Sequence, residues 1–153
     1  MPAIRTQGTQ LYTVTGTTTV TEIGQIVSIS GLGGARDQID TTVLTDAERT
    51  FVGGFANPGP ITLELVFDPT VVSHQTLQTL FGNSNVVPWM IAAADGTTTP
   101  TATGGAFASL TSRSNWRFLG YVADVNLDFS TNEVIRGTVT IQRSGAVTTT
   151  PKV

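Results

Sequence analysis

The strongest constraint in this chain is a two-residue hydrophobic alternation that recurs from end to end, with one segment only that follows helical spacing. In PITLELVFD, Ile61, Leu63, Leu65 and Phe67 fall on one face of an extended chain, with Thr62, Glu64 and Asp68 on the other. EIGQIVSIS and RDQIDTTVL repeat the pattern through Ile23, Val27 and Ile29, then Ile39 and Val43, with Ile26 out of phase, and together they suggest a hairpin. WRFLGYVADVNLDF places Leu119, Tyr121, Ala123, Val125, Leu127 and Phe129 on one side, and the turn STNE leads into VIRGTVTIQ. Asp68-Pro69 followed by TVVSHQTLQTLF and Gly82 predicts a helix over 69–81, with Asp68 as N-cap, Gly82 at the C′ position and Val72, Leu77, Leu80 and Phe81 as its apolar stripe. One helix cannot supply the crossovers of a parallel sheet. The expected fold is therefore mainly β: a β-sandwich or half-open barrel with one short flanking helix, built as a single domain over 1–153.

Composition supports this and removes much chemistry. Thr occupies 28 of 153 positions and charged residues are only 12%, a hydroxyl-rich and charge-poor balance that suits sheet. With no Cys and one His, His74, the chain has no thiolate nucleophile, no disulfide and no cluster for zinc or iron, and no cofactor is expected. The net charge of −3 disfavours a nucleic-acid grip through phosphates. The longest apolar run, VVPWMIAAA, is too short to span a membrane, and MPAIRTQGTQ does not read as a signal peptide, so synthesis in the cytoplasm and a soluble product are expected.

Enzymatic readings find little support in particular residues. Asp124 and Asp128 share a strand face, but about 13 Å of strand rise separates them, beyond the carboxyl spacing of glycosidases. SGLGGA lacks the Lys of a phosphate loop and lies between strands, so turn geometry accounts for its glycines. His74 on the helix reads as a solvated or packing residue. Trp89 and Trp116 offer a sugar platform or, more simply, core; Arg113 and Arg117 beside Trp116 suit solvent or ion-pair roles better than nucleic acid.

One stretch does not suit a self-contained molecule. TDAERTFVGGFANPG, 45–59, is long for a connection and has no clear period, yet Phe51, Val52 and Phe55 are large apolar groups on a Gly-Gly hinge that would gain by burial. Just before and within it lie Arg36, Asp37, Asp40, Asp46, Glu48 and Arg49, whose mixed signs suit ion pairing across a subunit contact. Residues 1–10 and 144–153 read as polar arms, and DGTTTPTATGGA as a loop too rich in Gly, Pro and Thr to pack internally. Arms, apolar loop and polar strand faces point to a subunit completed by copies of itself through lateral sheet joining. The rival reading is a monomeric or trimeric binding module, carbohydrate-binding or capsid-decorating, working through the Trp residues.

TEIGQIVSISGLGGARDQIDTTVLTD, FVGGFANPGPITLELVFDP, the short helix and the terminal VIRGTVTIQRSGA together resemble the major tail tube protein of long, non-contractile phage tails, over most of residues 20–146. The resemblance implies six-fold rings stacked into a tube whose joined inner sheets form one barrel around the passing double-stranded DNA. It also implies partners in the tape measure, tail terminator and distal tail proteins, no membrane insertion, and a place in the virion tail. On these residues, loop 45–59 would pack against the next subunit or ring, and the arms would bridge rings. Glu64, Asp124 and Asp128 would be candidates to line the lumen, where an acidic wall repels phosphate. The Thr-rich insert at 95–105 departs from the compact pattern.

Overall fold

The computed structural model describes residues 3–153. Eleven strands and one helix follow in the order β1 (Gln10–Thr15), β2 (Thr19–Ile23), β3 (Ile26–Ser30), β4 (Arg36–Asp40), β5 (Phe51–Ala56), β6 (Pro60–Val66), α1 (Val72–Asn83), β7 (Val87–Ala92), β8 (Ala102–Thr103), β9 (Ala106–Phe107), β10 (Asn115–Asp128) and β11 (Arg136–Thr150). Seven of the strands form one antiparallel sheet in the order β2-β1-β7-β10-β11-β6-β3. Its two outermost strands, β2 and β3, are separated in sequence by Gly24 and Gln25 alone. A sheet whose opposite edges are tied by two residues has to curl until those edges approach, which produces the half-open barrel.

The concave side holds the main core, in which Leu11, Ile61, Leu63, Trp89, Val139 and Ile141 are fully buried. The alternation in PITLELVFD is borne out, since Ile61, Leu63, Leu65 and Phe67 all enter this core. Helix α1 adds Leu77 and Leu80 to it. A lock fastens the helix to the β2–β3 corner. The Asp68 N–H donates to His74 Nδ1 at 3.0 Å, so Nε2 carries the ring proton and donates to the Gly24 carbonyl at 2.9 Å. The Gly24 N–H donates to Ser73 Oγ, and the imidazole stacks on Phe67 with ring centroids 5.3 Å apart. His74 is thus a buried packing residue.

The helix begins later than the sequence predicts. The Asp68 carboxylate accepts the Thr70 N–H and hydroxyl, forming a turn that occupies the chain before the helix can start, and Val71 takes the N-cap position without a side-chain cap. At the other end Ser84 adopts the left-handed conformation and closes on Leu80, which leaves Gly82 inside the helix. The buried stripe runs through Ser73, His74, Leu77 and Leu80, and Val72 and Phe81 stay exposed.

β10 departs from simple alternation. Phe118 and Val122 point into the core, and Leu119, Tyr121 and Ala123 do not. A register shift between Val122 and Asp124 then returns Val125 and Leu127 to the core side. One extra residue in a bulge inverts the face of all that precedes it. Phe129 lies beyond the strand and is exposed.

The Thr-rich insert does pack. Its β8–β9 hairpin and the segment after it bury Ala102, Phe107 and Leu110 on Tyr12, Val14, Met90 and Ala92, the outward face of β1 and β7. That second layer explains why VPWMIA is apolar without alternation: the strand is covered on both sides. Residues 144–153 are likewise no free arm. β11 runs on to Thr150 and pairs with Asn115–Leu119, and beyond it Val153 N–H donates to the Thr111 carbonyl. Residues 3–9 form no strand, and the first two residues of the expected N-terminal arm lie outside the described residues.

Candidate functional site

The hairpin expected between β3 and β4 does not form. β3 pairs with β6, and β4 pairs with β5 in a separate two-stranded ribbon. The ribbon continues the β3/β6 pair outward, past the glycine-rich segment Gly31–Ala35 on one strand and Asn57-Pro58-Gly59 on the other. Those glycines are spent on a close passage. A Cβ on Gly31, whose φ is +95°, would meet the Pro60 carbonyl at 2.3 Å, and one on Gly34 would meet the Asn57 carbonyl at 2.8 Å.

All nine residues singled out for a subunit contact are brought together on this ribbon. Arg36, Asp37 and Asp40 lie on β4, Phe51, Val52 and Phe55 on β5, and Asp46, Glu48 and Arg49 in the connecting turn. Six residues of the stretch 45–59 expected as an aperiodic loop, Phe51–Ala56, are therefore strand. Between residues 35 and 56 only Gly54 is even half-buried. Phe55 is 91% exposed, and Ile39, Val43, Leu44, Phe51 and Val52 are exposed with it. Ile39 and Val43, expected to face a core, have none, because the ribbon projects from the sheet instead of joining it. Leu44 went unnoticed in the sequence; its place beside Val43 in an otherwise polar turn was the available signal.

The register distributes these apolar groups over both faces. Ile39 pairs with Val52 on one side, and Phe51 pairs with Asp40 on the other. The charged groups partly serve the ribbon itself. Asp40 Oδ1 accepts the Thr42 N–H at 2.9 Å, Asp46 Oδ2 accepts the Val43 N–H at 3.0 Å, and Arg36 donates to the Gly54 carbonyl at 3.3 Å. The Thr42 contacts hold the Asp40 carboxyl below the usual carboxylate range.

Glu64, Asp124 and Asp128 also come together on one surface. In-register pairing sets Asp124, Thr140, Thr62 and Ser30 in one row, Asn126, Thr138, Glu64 and Ser28 in the next, and Asp128, Arg136 and Val66 in a third. This is the face of β10-β11-β6-β3 turned away from the core, rich in hydroxyls with three carboxylates and one guanidinium. Ser28 Oγ donates to Glu64 at 3.4 Å across it.

The other candidates resolve into structure. Trp89 is fully buried with its indole N–H on the Gly120 carbonyl, and Trp116 packs against the core, so they form no exposed aromatic platform. Arg113 has neither a solvent nor an ion-pair role. It is fully buried, and its guanidinium donates to the carbonyls of Ala93, Thr98, Ala92 and Gly8 and to Gln10 Oε1. It thereby joins the N-terminal segment, β7 and the Thr-rich insert. Among the described residues no group of three or more His, Cys, Asp or Glu could hold a metal, and no helix is long and apolar enough to cross a membrane.

The comparisons with known proteins agree with one another. A family model described as phage tail tube, TTP, lambda-like, matches residues 2–153. Structural protein 3 of Pseudomonas phage PAJU2 is 33% identical over 155 residues, which is 97% of this chain and 94% of that protein. Among solved structures, the SPP1 tail tube superposes with a TM-score of 0.69 at 8% identity, covering 99% of this chain and 81% of its own. The tail of an empty GTA particle gives 0.64 at 15% identity, covering 92% and 95%. A chain in the structure of the PVC sheath/tube terminator, from an extracellular contractile injection system, gives 0.69 at 14% identity, covering 97% of each chain. At such identities the structures speak for the fold alone, whereas the family match and the PAJU2 relative span nearly the whole chain: it belongs to the lambda-like phage tail tube family and is a structural component of the virion tail, not an enzyme.

Proposed function

We propose that copies of this subunit form six-fold rings that stack into a hollow tube, and that double-stranded DNA passes through it during ejection without being specifically bound. The observation that carries this reading is the β4–β5 ribbon, which exposes apolar side chains on both faces and finds no cover among the described residues. Such a surface is a liability in a monomer and a joint in a polymer. Arg36, Asp37, Asp40, Asp46, Glu48, Arg49, Phe51, Val52 and Phe55 make the contact with a neighbouring subunit or ring. β2 and β3, each with one partner in the sheet, are the edges available for lateral joining. The face carrying Glu64, Asp124 and Asp128 turns to the lumen, where its carboxylates keep phosphate sliding. The GTA tail of similar fold was refined with six-fold symmetry, and terminators and caps occur among the structures of this fold. Tail terminator, tape measure and distal tail proteins are the corresponding partners.

Electron microscopy of the purified protein tests this directly. Six-fold rings or tubes are expected, and none should form when the ribbon, 36–56, is replaced by a short Gly-Ser link. A native chain that stays monomeric at high concentration refutes the reading.

A further inference from the structure

At the root of the ribbon Leu32 packs on the core and Gln142 bonds one strand, but Arg143 bonds both, and we infer that Arg143 is the positioning residue that sets the angle at which the β4–β5 ribbon meets its neighbour. The inference concerns the geometry of this chain; its bearing on assembly rests on the function proposed above. At the root of the ribbon the ladder between the two strands is broken. Gly31, Gly33 and Gly34 offer no side chains, Pro58 has no N–H, and the backbone bond across the gap is that from the Asn57 N–H to the Ala35 carbonyl, at 2.8 Å. A two-stranded ribbon joined through such a segment is a hinge unless something braces it.

Arg143 is that brace. It stands on β11, and its side chain is almost fully buried under the root. Its Nη2 donates to the Gly33 carbonyl on one strand, and its Nε donates to the Gly59 carbonyl on the other at 3.1 Å. One rigid, planar guanidinium thus bridges the two strands at the kink and fixes both to the sheet, which a flexible ammonium with a single nitrogen would do poorly. The adjacent Gln142 donates to the Pro58 carbonyl at 3.1 Å and reinforces the same strand. Gly34 completes the fit, because a Cβ there would come within 3.2 Å of Arg143 Nη2 as well as 2.8 Å of the Asn57 carbonyl.

The chain has no cysteine, so two introduced ones can carry spin labels cleanly. Leu44→Cys labels the exposed turn and Gln78→Cys the exposed side of α1, and their separation is measured in the unassembled protein by double electron–electron resonance. Without further change a single narrow distance is expected. Arg143→Gln should replace it with a broad distribution and, in the unlabelled protein, abolish tubes in electron micrographs. Gly34→Ala pries open the same root without leaving a hole in the interior, and it decides the matter should Arg143→Gln fail to fold. A narrow distance retained in the folded variants overturns the inference. So does a broad one accompanied by normal tubes, as far as assembly is concerned. Failure of the native chain to form tubes would sink the proposed function and leave the distance measurement, and the role it tests for Arg143, intact.

Discussion

Replacing Arg113 with Met keeps the length and much of the volume of the side chain and removes its five donors, so it isolates the hydrogen bonds from the packing. The bonds to the Ala93 carbonyl at 2.8 Å and the Thr98 carbonyl at 3.2 Å are well formed, whereas those to Ala92 at 3.3 Å and Gly8 at 3.5 Å are long. Gln10 Oε1 loses Arg113 and keeps the Tyr12 hydroxyl. A hydrogen bond to a charged group contributes about 1.5–3 kcal/mol net, a value that already includes desolvation of both partners. Two such bonds, less the apolar burial gained by Met, give a loss of about 3 kcal/mol. At this chain length that lowers Tm by roughly 6–12 °C. Urea titration of the dilute, unassembled protein should show an earlier midpoint with the slope unchanged. Arg113→Lys should retain part of the stability, since one ammonium reaches some of these acceptors and not all. A loss below about 1 kcal/mol in Arg113→Met would refute the assignment of Arg113 as the group that joins the N-terminal segment, β7 and the insert.

Other consequences follow from the same geometry. His74→Ala removes the bonds to Gly24 and Asp68 and the stack on Phe67, and chemical denaturation should show a loss of about 2–4 kcal/mol. Phe55→Asp, at a side chain 91% exposed, should leave the melting of the subunit within about 0.5 kcal/mol of native and abolish sedimenting polymers. Glu64→Lys with Asp124→Lys should yield tubes that retain double-stranded DNA at low salt and release it as salt rises; unchanged retention would remove that face from the lumen. Asp68 and Asp95 have carboxyls held below the usual range, first by the hydroxyls of Thr70 and Ser114, and Asp40 by that of Thr42. A depressed folded pKa stabilises above the unfolded value of about 3.9, so these three carboxylates should contribute no pH dependence above about 5 and a fall in thermal stability below about 4. Tyr12, raised by burial and then by Glu22, acts in the opposite sense and costs stability only as pH climbs past about 10.

The candidate contact was legible because its residues are out of place in a monomer. Phe51, Val52 and Phe55 follow no period that a core could use, and a cluster of mixed charges precedes them in a chain otherwise poor in charge. What could not be read was the form of the contact. RDQID alternates like any half-buried strand, so Ile39 looked inward, yet the alternation states only that two faces differ and not that a core waits on either. The acidic residues were separable from the apolar ones by the same rule, and their convergence on one surface depended on register among β10, β11, β6 and β3. Nothing in the sequence signals the burial of Arg113 or Arg143. Each is an ordinary polar position in its strand or turn until the tertiary fold brings backbone carbonyls from distant segments around it.

The amino-acid order alone determined the class of fold, the single helix and the unbroken core face of PITLELVFD, because side-chain period is a property of the local backbone. Tertiary structure decided the rest: that β2 and β3 lie at opposite edges of one sheet although two residues join them, that a bulge in β10 exchanges its faces, and that the Thr-rich insert roofs β1 and β7. Each of these turns on which strand meets which, a long-range choice set by the burial of the whole and left open by the periodicity of any one segment.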